Sequence, residues 1–309
     1  MNRVSSELLD LLIIGAGPAG YAAAIYAARY RMRHVLLANE LGGEMLYADV
    51  VENYPGFSSI LGPDLMTQMK DHAKSLGVII NETDVSAIEQ DGKDFVVHAG
   101  MADFLTKTII LATGTERRKL GVPGEEENVG QGVSYCATCD ARFFKNRVAC
   151  VVGGSDSAAK EALVLSKFAK QVHIIYRKKA IRAEPALCER INACENIDII
   201  PDANVTEIIC NDDGVVDRIV LDNGDIVETN GVFVDIGTIP RSELAAGLGV
   251  DLNESKEIIV SRDGATNVKG IYAAGDVTDA PLKQAITAAA DGARACTAAY
   301  HYVELEYAE

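Results

Sequence analysis

The chain has 309 residues, with 29 lysines and arginines against 45 aspartates and glutamates, and a formal net charge of −16. This length suggests two domains, and the acidic balance argues against a nucleic-acid groove. Hydrophobic residues make up 48% and charged residues 24%, which is ordinary globular usage and excludes a disordered or collagen-like chain.

The cysteines and the apolar stretches indicate the cellular compartment. No stretch approaches the ~18 apolar residues of a membrane span, because the run from Leu8 to Ala28 is broken by Asp10 and by several glycines. Seven cysteines are an odd number for a long chain without an export signal. We therefore expect a protein of the reducing cytoplasm without a disulfide scaffold.

The first predicted unit is a strand, a glycine turn and a helix. Leu9–Ile14 is typical of a buried strand, residues 15–20 (GAGPAG) form the turn, and an Ala-rich helix follows over Tyr21–Tyr30. Arg33–Ala38 is the next predicted strand, and Glu40 stands where an acidic side chain would meet a ribose hydroxyl. Because the turn and the helix N-terminus would present N–H groups to a pyrophosphate, this unit predicts dinucleotide binding.

A β-meander follows between Gly77 and Gly114. Its alternating pattern and the Asp91-Gly92 turn signal predict four short strands, at Val78–Ile80, Val85–Glu89, Phe95–His98 and Thr106–Ala112.

The same order then recurs in the second half. A strand at Arg147–Val152, a glycine turn at 153–158, a helix and a strand at Gln171–Tyr176 precede a second meander, which turns at Asn223-Gly224. The sequence thus predicts an α/β fold with two Rossmann-like, three-layer domains, each with a β-meander, the second inserted in the first. The predicted domains are residues 1–115 with 245–309, and residues 116–244.

The second glycine turn departs from the pattern because Ser155 replaces its middle glycine. The strand after it ends in Tyr176-Arg177-Lys178-Lys179 instead of an acid, and Arg182 follows. Clustered cations suit the 2′-phosphate of NADPH, whereas an acid would favour NAD. The alternative is a solvated basic loop.

Cys136-Ala137-Thr138-Cys139 is the one CxxC motif. A four-ligand zinc site is improbable because there is no second CxxC and no nearby pair of histidines. Two unrelated buried thiols remain possible, but Asp140 and the helix-compatible stretch Ala141–Lys145 favour a redox dithiol at a helix start, where the helix lowers the thiol pKa. Asp140 is a candidate for proton transfer, or it only complements the helix dipole.

In this order, the motifs resemble those of low-molecular-weight thioredoxin reductases, in the pyridine nucleotide-disulfide oxidoreductase family. The specific feature is a CxxC just ahead of the second dinucleotide turn, and the resemblance covers nearly the whole chain. The shared motifs are GAGPAG, GGEM at 42–45, VENYPG at 51–56, ATG at 112–114, CATCD at 136–140, the second glycine turn, the basic patch and AGD at 274–276.

The resemblance implies FAD in the outer domain, NADPH in the inserted domain, a homodimer, and thioredoxin or a thioredoxin-like protein as partner. The implied catalytic residues are Cys136, Cys139 and Asp140, with no metal. The flavin contacts carried over by position are Gly15, Gly17, Ala19, Gly20, Glu40, Gly43, Glu44, Asn53, Val85, Thr113, Gly114, Asp276, Lys283, Gln284 and Ala285. The candidate NADPH residues are Gly153, Gly154, Ser155, Asp156, Ser157, Ala158, Arg177, Lys178 and Arg182.

The implied mechanism passes hydride from NADPH to the flavin, which opens the Cys136–Cys139 disulfide through Cys139; Cys136 then attacks the partner. Two departures from the family pattern concern the cofactors: Glu44 stands where the family more often has Gln, and Tyr176 and Lys178 replace a His and an Arg. The alternatives are a flavin-dependent dithiol oxidase, a reductase fed by another donor such as ferredoxin, and a flavin-binding interaction protein without turnover.

Basic residues flank the dithiol in the sequence and are a candidate docking patch for an acidic partner, with solvated surface charge as the alternative. They are Arg117, Arg118, Lys119, Arg142, Lys145 and Arg147.

Overall fold

The computed structural model describes residues 3–4, 7–48, 50–211 and 213–307. The chain divides into two compact units, Met1–Glu116 with Ile239–Glu309, and Arg117–Thr238. Glu116 and residues 239–244, which the sequence assigned to the second domain, lie in the first unit. The reason is local hydrogen bonding: Arg241 N donates to Gly114 O at 3.0 Å, and Ser242 Oγ donates to Lys256 O at 2.7 Å.

The secondary structure of the described residues follows in chain order. The helices are α1 (Pro18–Arg29), α2 (Gly62–Ser75), α3 (Ala137–Asp140), α4 (Asp156–Ser166), α5 (Pro185–Asn192), α6 (Glu243–Ala246) and α7 (Ala285–His301). The strands are β1 (Arg3–Val4), β2 (Leu11–Ile14), β3 (His34–Ala38), β4 (Val50–Val51), β5 (Ile60–Leu61), β6 (Ile79–Glu82), β7 (Val85–Asp91), β8 (Asp94–Ala99), β9 (Ala102–Thr106), β10 (Ile109–Leu111), β11 (Thr115–Arg117), β12 (Val133–Ser134), β13 (Val148–Val152), β14 (Gln171–Tyr176), β15 (Ile197–Pro201), β16 (Val205–Cys210), β17 (Val216–Leu221), β18 (Ile226–Glu228), β19 (Val232–Val234), β20 (Thr238–Pro240) and β21 (Ile271–Ala273).

The first unit is built on a parallel sheet with the strand order β21-β10-β2-β3-β6. Successive side chains of a strand point to opposite faces. Accordingly, Leu11 and Ile13 of β2 pack in the cluster that includes α1, α2 and α7, whereas Leu12 and Ile14 pack with the meander β7-β8-β9. Helix, sheet and meander therefore form three layers.

The second unit repeats this plan. Its parallel sheet has the order β12-β19-β13-β14-β15, and β16-β17-β18 form an antiparallel meander. Val151 and Ile174 pack on the side of α4 and α5, whereas Cys150 and Ile175 pack against the meander. The predicted fold class, two Rossmann-like three-layer units with meanders, is confirmed.

Two strand predictions in the first meander were wrong. The stretch Thr106–Ala112 is not one strand: β9 ends at Thr106 in the meander and β10 begins at Ile109 in the parallel sheet, because Thr108 Oγ1 donates to Asp10 O at 2.6 Å and turns the chain between them. In addition, β6 pairs with β3 in the parallel sheet and not in the meander. A half-exposed edge strand has the same alternating pattern as a meander strand.

Candidate active site

The first unit contains an open cleft at the carboxyl end of its parallel sheet. Most of the residues that the sequence predicted as flavin contacts line it. They are Gly15, Gly17, Ala19, Glu40, Gly43, Glu44, Thr113, Gly114, Asp276, Gln284 and Ala285. This is the position at which open α/β sheets bind their ligands.

The glycine turn shapes the floor of this cleft. Gly15 has a φ of +110°, and a Cβ there would lie 2.1 Å from Ala112 O. At Gly17, in contrast, a Cβ would meet no described heavy atom within 4 Å, so the space beside this residue is open. Among the described residues no side chain caps the N-terminus of α1, and its first turn holds no acid. The N–H groups of α1 are therefore available to an anion.

Polar side chains line the cleft around the turn, among them Glu40, Asp276 and Arg241. Glu40 accepts a hydrogen bond from Tyr47 Oη, and burial raises the pKa of Asp276. Arg241 adds a positive charge to the lining, although the sequence analysis did not single it out as a ligand. Arg241 belongs to no recognisable motif. Its position directly after Pro240 is the only feature of the sequence that could have drawn attention to it.

Four predicted flavin contacts do not line the cleft. Gly20 instead allows close packing, since a Cβ there would lie 1.8 Å from Gly15 O. Asn53 Nδ2 donates to the side chain of Gln284 at 2.9 Å and so supports a lining residue. Val85 packs against the apolar core. Lys283 Nζ donates to Glu257 Oε1 at 2.7 Å and to Asp276 O at 2.9 Å, which holds its ammonium group within the protein.

The glycine turn of the second unit is also closely packed. A Cβ on Gly153 would lie 2.0 Å from Asp235 O, and one on Gly154 would lie 2.5 Å from the ring of Tyr176. Ser155 is the N-cap of α4, and its hydroxyl accepts from Ala158 N at 3.4 Å. Asp156 and Ser157 follow in the first turn of this helix.

The predicted cations lie next to this turn. Arg182 N donates to Gly154 O at 2.8 Å, and Asp156 Oδ1 accepts from Glu184 N at 2.7 Å, so the loop after β14 is fastened to the start of α4. Arg177, Lys178 and Arg182 are exposed. The structure thus brings the basic loop and the glycine turn together, as a nucleotide-phosphate site requires.

Cys136 and Cys139 form a disulfide at the start of α3. Cys136 is 9% exposed, whereas Cys139 is exposed. Cys139 N donates to Cys136 Sγ at 3.2 Å, an interaction that would stabilise a thiolate on Cys136. The helix expected after the motif is only the single turn of α3 followed by a 3₁₀ turn, Ala141–Phe144. A macrodipole is correspondingly small, so this one hydrogen bond matters more.

Asp140 is held close to the disulfide by a serine. Ser134 Oγ donates to Asp140 Oδ2 at 2.6 Å and accepts from Cys136 N at 3.0 Å. The carboxylate therefore belongs to the hydrogen-bond network of the dithiol turn, as its predicted role in proton transfer requires.

A buried carboxylate that sequence reasoning missed lies against the same turn. Glu161 of α4 is 9% exposed; its Oε1 accepts from Arg117 Nη1 at 3.2 Å, and its carboxylate accepts from the Ala137 N–H. Burial and the nearby Asp235 raise the pKa of Glu161 to about 7, against the opposing effect of Arg117. Arg117 is thus engaged within its own unit, and its predicted place in a docking patch is not supported.

Comparisons with known proteins agree with this geometry. The model of the pyridine nucleotide-disulphide oxidoreductase family matches residues 9–292. The chain is 41% identical over 305 residues to thioredoxin reductase from Bacillus subtilis, covering 96% of each chain. It is similar to the crystal structure of Lactococcus lactis thioredoxin reductase in the FR conformation, with a TM-score of 0.91, 39% identity and coverage of 96% of this chain and 99% of that one. For T. acidophilum thioredoxin reductase the TM-score is 0.89, the identity 36% and the coverage 94% and 97%.

The chain belongs to the pyridine nucleotide-disulphide oxidoreductase family. The resemblance inferred from the order of the motifs is therefore confirmed.

The remaining cysteines of this oxidoreductase, all within the described residues, are free thiols. Cys150 and Cys296 are buried, and burial raises the pKa of each thiol to about 12, which leaves it unreactive at neutral pH. Cys188, Cys194 and Cys210 are partly exposed. Within the described residues, no three His, Cys, Asp or Glu side chains are grouped as metal ligands, and no helix has the length and apolarity to cross a membrane.

Proposed function

We propose that this oxidoreductase uses NADPH, FAD and the Cys136–Cys139 dithiol to reduce the disulfide of thioredoxin or a thioredoxin-like protein. The observation that carries the proposal is the Cys136–Cys139 disulfide, in the same unit as a glycine turn with cations fastened beside it. The curated relatives named thioredoxin reductase match the chain over nearly its full length and support it. We expect the enzyme to act as a homodimer.

The cleft of the first unit fits FAD. Gly17 leaves room for close approach of a pyrophosphate to the uncapped N-terminus of α1, and Glu40 stands at the end of β3, where a ribose hydroxyl would bind. Arg241 would add a positive charge on the phosphate side. Bound there, FAD would supply the hydride chemistry that links a nicotinamide to a disulfide.

In the second unit we assign the NADPH phosphates to the glycine turn and the exposed cations. Arg177, Lys178 and Arg182 would surround the 2′-phosphate, and guanidinium groups form strong, charge-assisted hydrogen bonds to phosphate oxygens. Gly153, Gly154, Ser155, Asp156, Ser157 and Ala158 would form the cradle for the pyrophosphate.

The dithiol performs the exchange with the partner protein. Once the disulfide is reduced, Cys136 as a thiolate attacks a sulfur of the partner's disulfide, forming a mixed disulfide and releasing the partner's other sulfur as a thiolate. Cys139 then attacks the Cys136 sulfur, which restores the Cys136–Cys139 disulfide and releases the reduced partner. Asp140 transfers protons to and from these sulfurs.

A pair of glycine substitutions tests the flavin cradle. Gly17→Ala should fold with little change in the stability of the flavin-free protein but bind FAD at least about tenfold more weakly, or ~1.4 kcal/mol, because its Cβ projects into open space needed by the pyrophosphate. Gly20→Ala is the matched control: its Cβ would collide with Gly15 O, so it should destabilise the fold by about 1–3 kcal/mol. Thermal unfolding and flavin titration of both flavin-free variants measure these effects.

Anaerobic titration tests the proposed function as a whole. The flavin absorbance should bleach with NADPH, less readily with NADH, and not with reduced ferredoxin; NADPH with enzyme should then reduce thioredoxin. Bleaching by ferredoxin alone would replace the proposal with a ferredoxin-fed reductase. Oxygen-dependent oxidation of dithiols without any response to NADPH would indicate a dithiol oxidase.

A further inference from the structure

Glu161 of α4 and Asp235, the residue after β19, are two buried carboxyl groups of the second unit. Each residue is 9% exposed, and one oxygen of each, Glu161 Oε2 and Asp235 Oδ2, has no hydrogen-bond partner among the described residues. The negative charge of Asp235 raises the pKa of Glu161 and so disfavours the ionised form of Glu161. Burial with unmet hydrogen-bonding capacity is costly and calls for an explanation beyond packing.

Glu161 is connected directly to the redox motif. Glu161 accepts from the N–H of Ala137, the residue that follows Cys136, and this bond joins α4 to the dithiol turn. On its other side Glu161 binds Arg117, the last residue of β11, through which the chain enters the second unit. The Glu161 carboxyl group thus links the backbone between the two cysteines to the first residue of the second unit.

Other charged groups on the neighbouring elements are less able to act on this carboxyl. Asp140 on α3 is engaged by Ser134. On β14, His173 Nδ1 lies 3.9 Å from Asp198 Oδ2. Arg142 on the 3₁₀ turn and Glu189 and Arg190 on α5 are exposed, so solvent screens them. Arg117 and Asp235 therefore dominate the electrostatic environment of Glu161.

We propose that Glu161 is a positioning residue of the dithiol, whose protonation sets the reactivity of the Cys136 thiol at the turn that Glu161 holds through the Ala137 amide. The proposal rests on the proposed function, because it assigns the dithiol as the reacting group. The sign follows from Coulomb's law: an ionised Glu161 places a negative charge near Cys136 and disfavours its thiolate, whereas a protonated Glu161 does not.

Glu161 changes from its protonated to its ionised form near neutral pH, because its pKa is raised to about 7. Glu161→Gln mimics the protonated state at every pH while keeping an acceptor for the Ala137 amide. Asp235→Asn removes the repelling neighbour, so Glu161 should ionise at a lower pH. If Glu161 had a merely structural role, the two substitutions would not change the pH profile of Cys136 reactivity in opposite ways.

The experiment measures alkylation of Cys136 by iodoacetamide in dithiothreitol-reduced holoenzyme, followed by mass spectrometry of the Cys136 peptide from pH 5.5 to 9. Glu161→Gln should match the wild type at pH 6 and react at least about threefold faster at pH 7.5. Asp235→Asn should retain the wild-type inflection but displace it to lower pH. Glu189→Gln, on the exposed face of α5, is the control and should follow the wild type throughout.

A constant Glu161→Gln to wild-type ratio across the pH range would overturn the proposal, as would an unshifted inflection in Asp235→Asn. Flavin content and thermal unfolding check that the variants fold; if Glu161→Gln does not fold, Asp235→Asn alone decides. The measurement uses neither NADPH nor thioredoxin. Failure to reduce thioredoxin would therefore contradict the proposed function without affecting this result.

Discussion

Cys136→Ser and Cys139→Ser should each lower NADPH-driven thioredoxin reduction by at least about a thousandfold, while NADPH still bleaches the flavin. Either substitution leaves one sulfur, and a single sulfur cannot form the Cys136–Cys139 disulfide that accepts the electrons. In the proposed mechanism flavin reduction precedes the dithiol step, so flavin reduction should persist in both variants. Steady-state turnover measures thioredoxin reduction, and anaerobic single-turnover absorbance measures flavin reduction by NADPH.

The two variants should differ from each other in their spectra. If Cys139 is the sulfur that reacts with the flavin, Cys136→Ser leaves a thiolate beside the oxidised ring and gives a long-wavelength charge-transfer band, which Cys139→Ser lacks. Equal spectra would contradict this division of roles. Cys194→Ser is the control, since Cys194 is a partly exposed cysteine outside the disulfide, and it should behave as the wild type.

Replacing both Arg177 and Arg182 with Gln should raise the KM for NADPH at least tenfold, about 1.4 kcal/mol, and change the KM for NADH little. Each charge-assisted hydrogen bond contributes ~1.5–3 kcal/mol before solvent screening, and both side chains are exposed, so the screened effect is smaller. The preference for NADPH should also weaken as salt is added. Initial rates with both coenzymes at several salt concentrations measure it.

Arg218→Gln provides the control for that experiment. Arg218 is an exposed arginine on the meander of the same unit, next to Asp217, and its loss should leave both KM values unchanged. A similar rise in KM for NADPH and NADH in the Arg177/Arg182 double variant would mean that these residues shape the loop instead of binding the 2′-phosphate.

The sequence was most informative where a backbone constraint leaves a local signature. Gly15 could be identified because a left-handed turn follows a buried strand, and the CxxC of Cys136 and Cys139 because two cysteines three residues apart can close a disulfide. The recurrence of strand, glycine turn and helix predicted both units and their layers. These features depend on neighbours in the chain, which a sequence pattern can record.

Contacts between distant segments left no such signature. Glu161 looked like an ordinary charged position in the pattern of a surface helix, and only the fold brings Arg117 and the Ala137 amide to it. Glu257, far from any motif, binds the ammonium group of Lys283, and no pattern in the sequence indicated this pair. The residues that determine the electrostatics of the site were therefore the hardest to predict.

The helices that follow the two glycine turns differ at their first turn, and this bears on how long each ligand stays bound. The hydroxyl of Ser155 occupies the N-terminus of α4, so an incoming phosphate must compete with a bond the protein already makes; α1 has no such competitor among the described residues. A competing internal bond weakens binding and speeds dissociation. The first site is suited to a permanently resident group, and the second to a molecule that arrives and departs in every catalytic cycle.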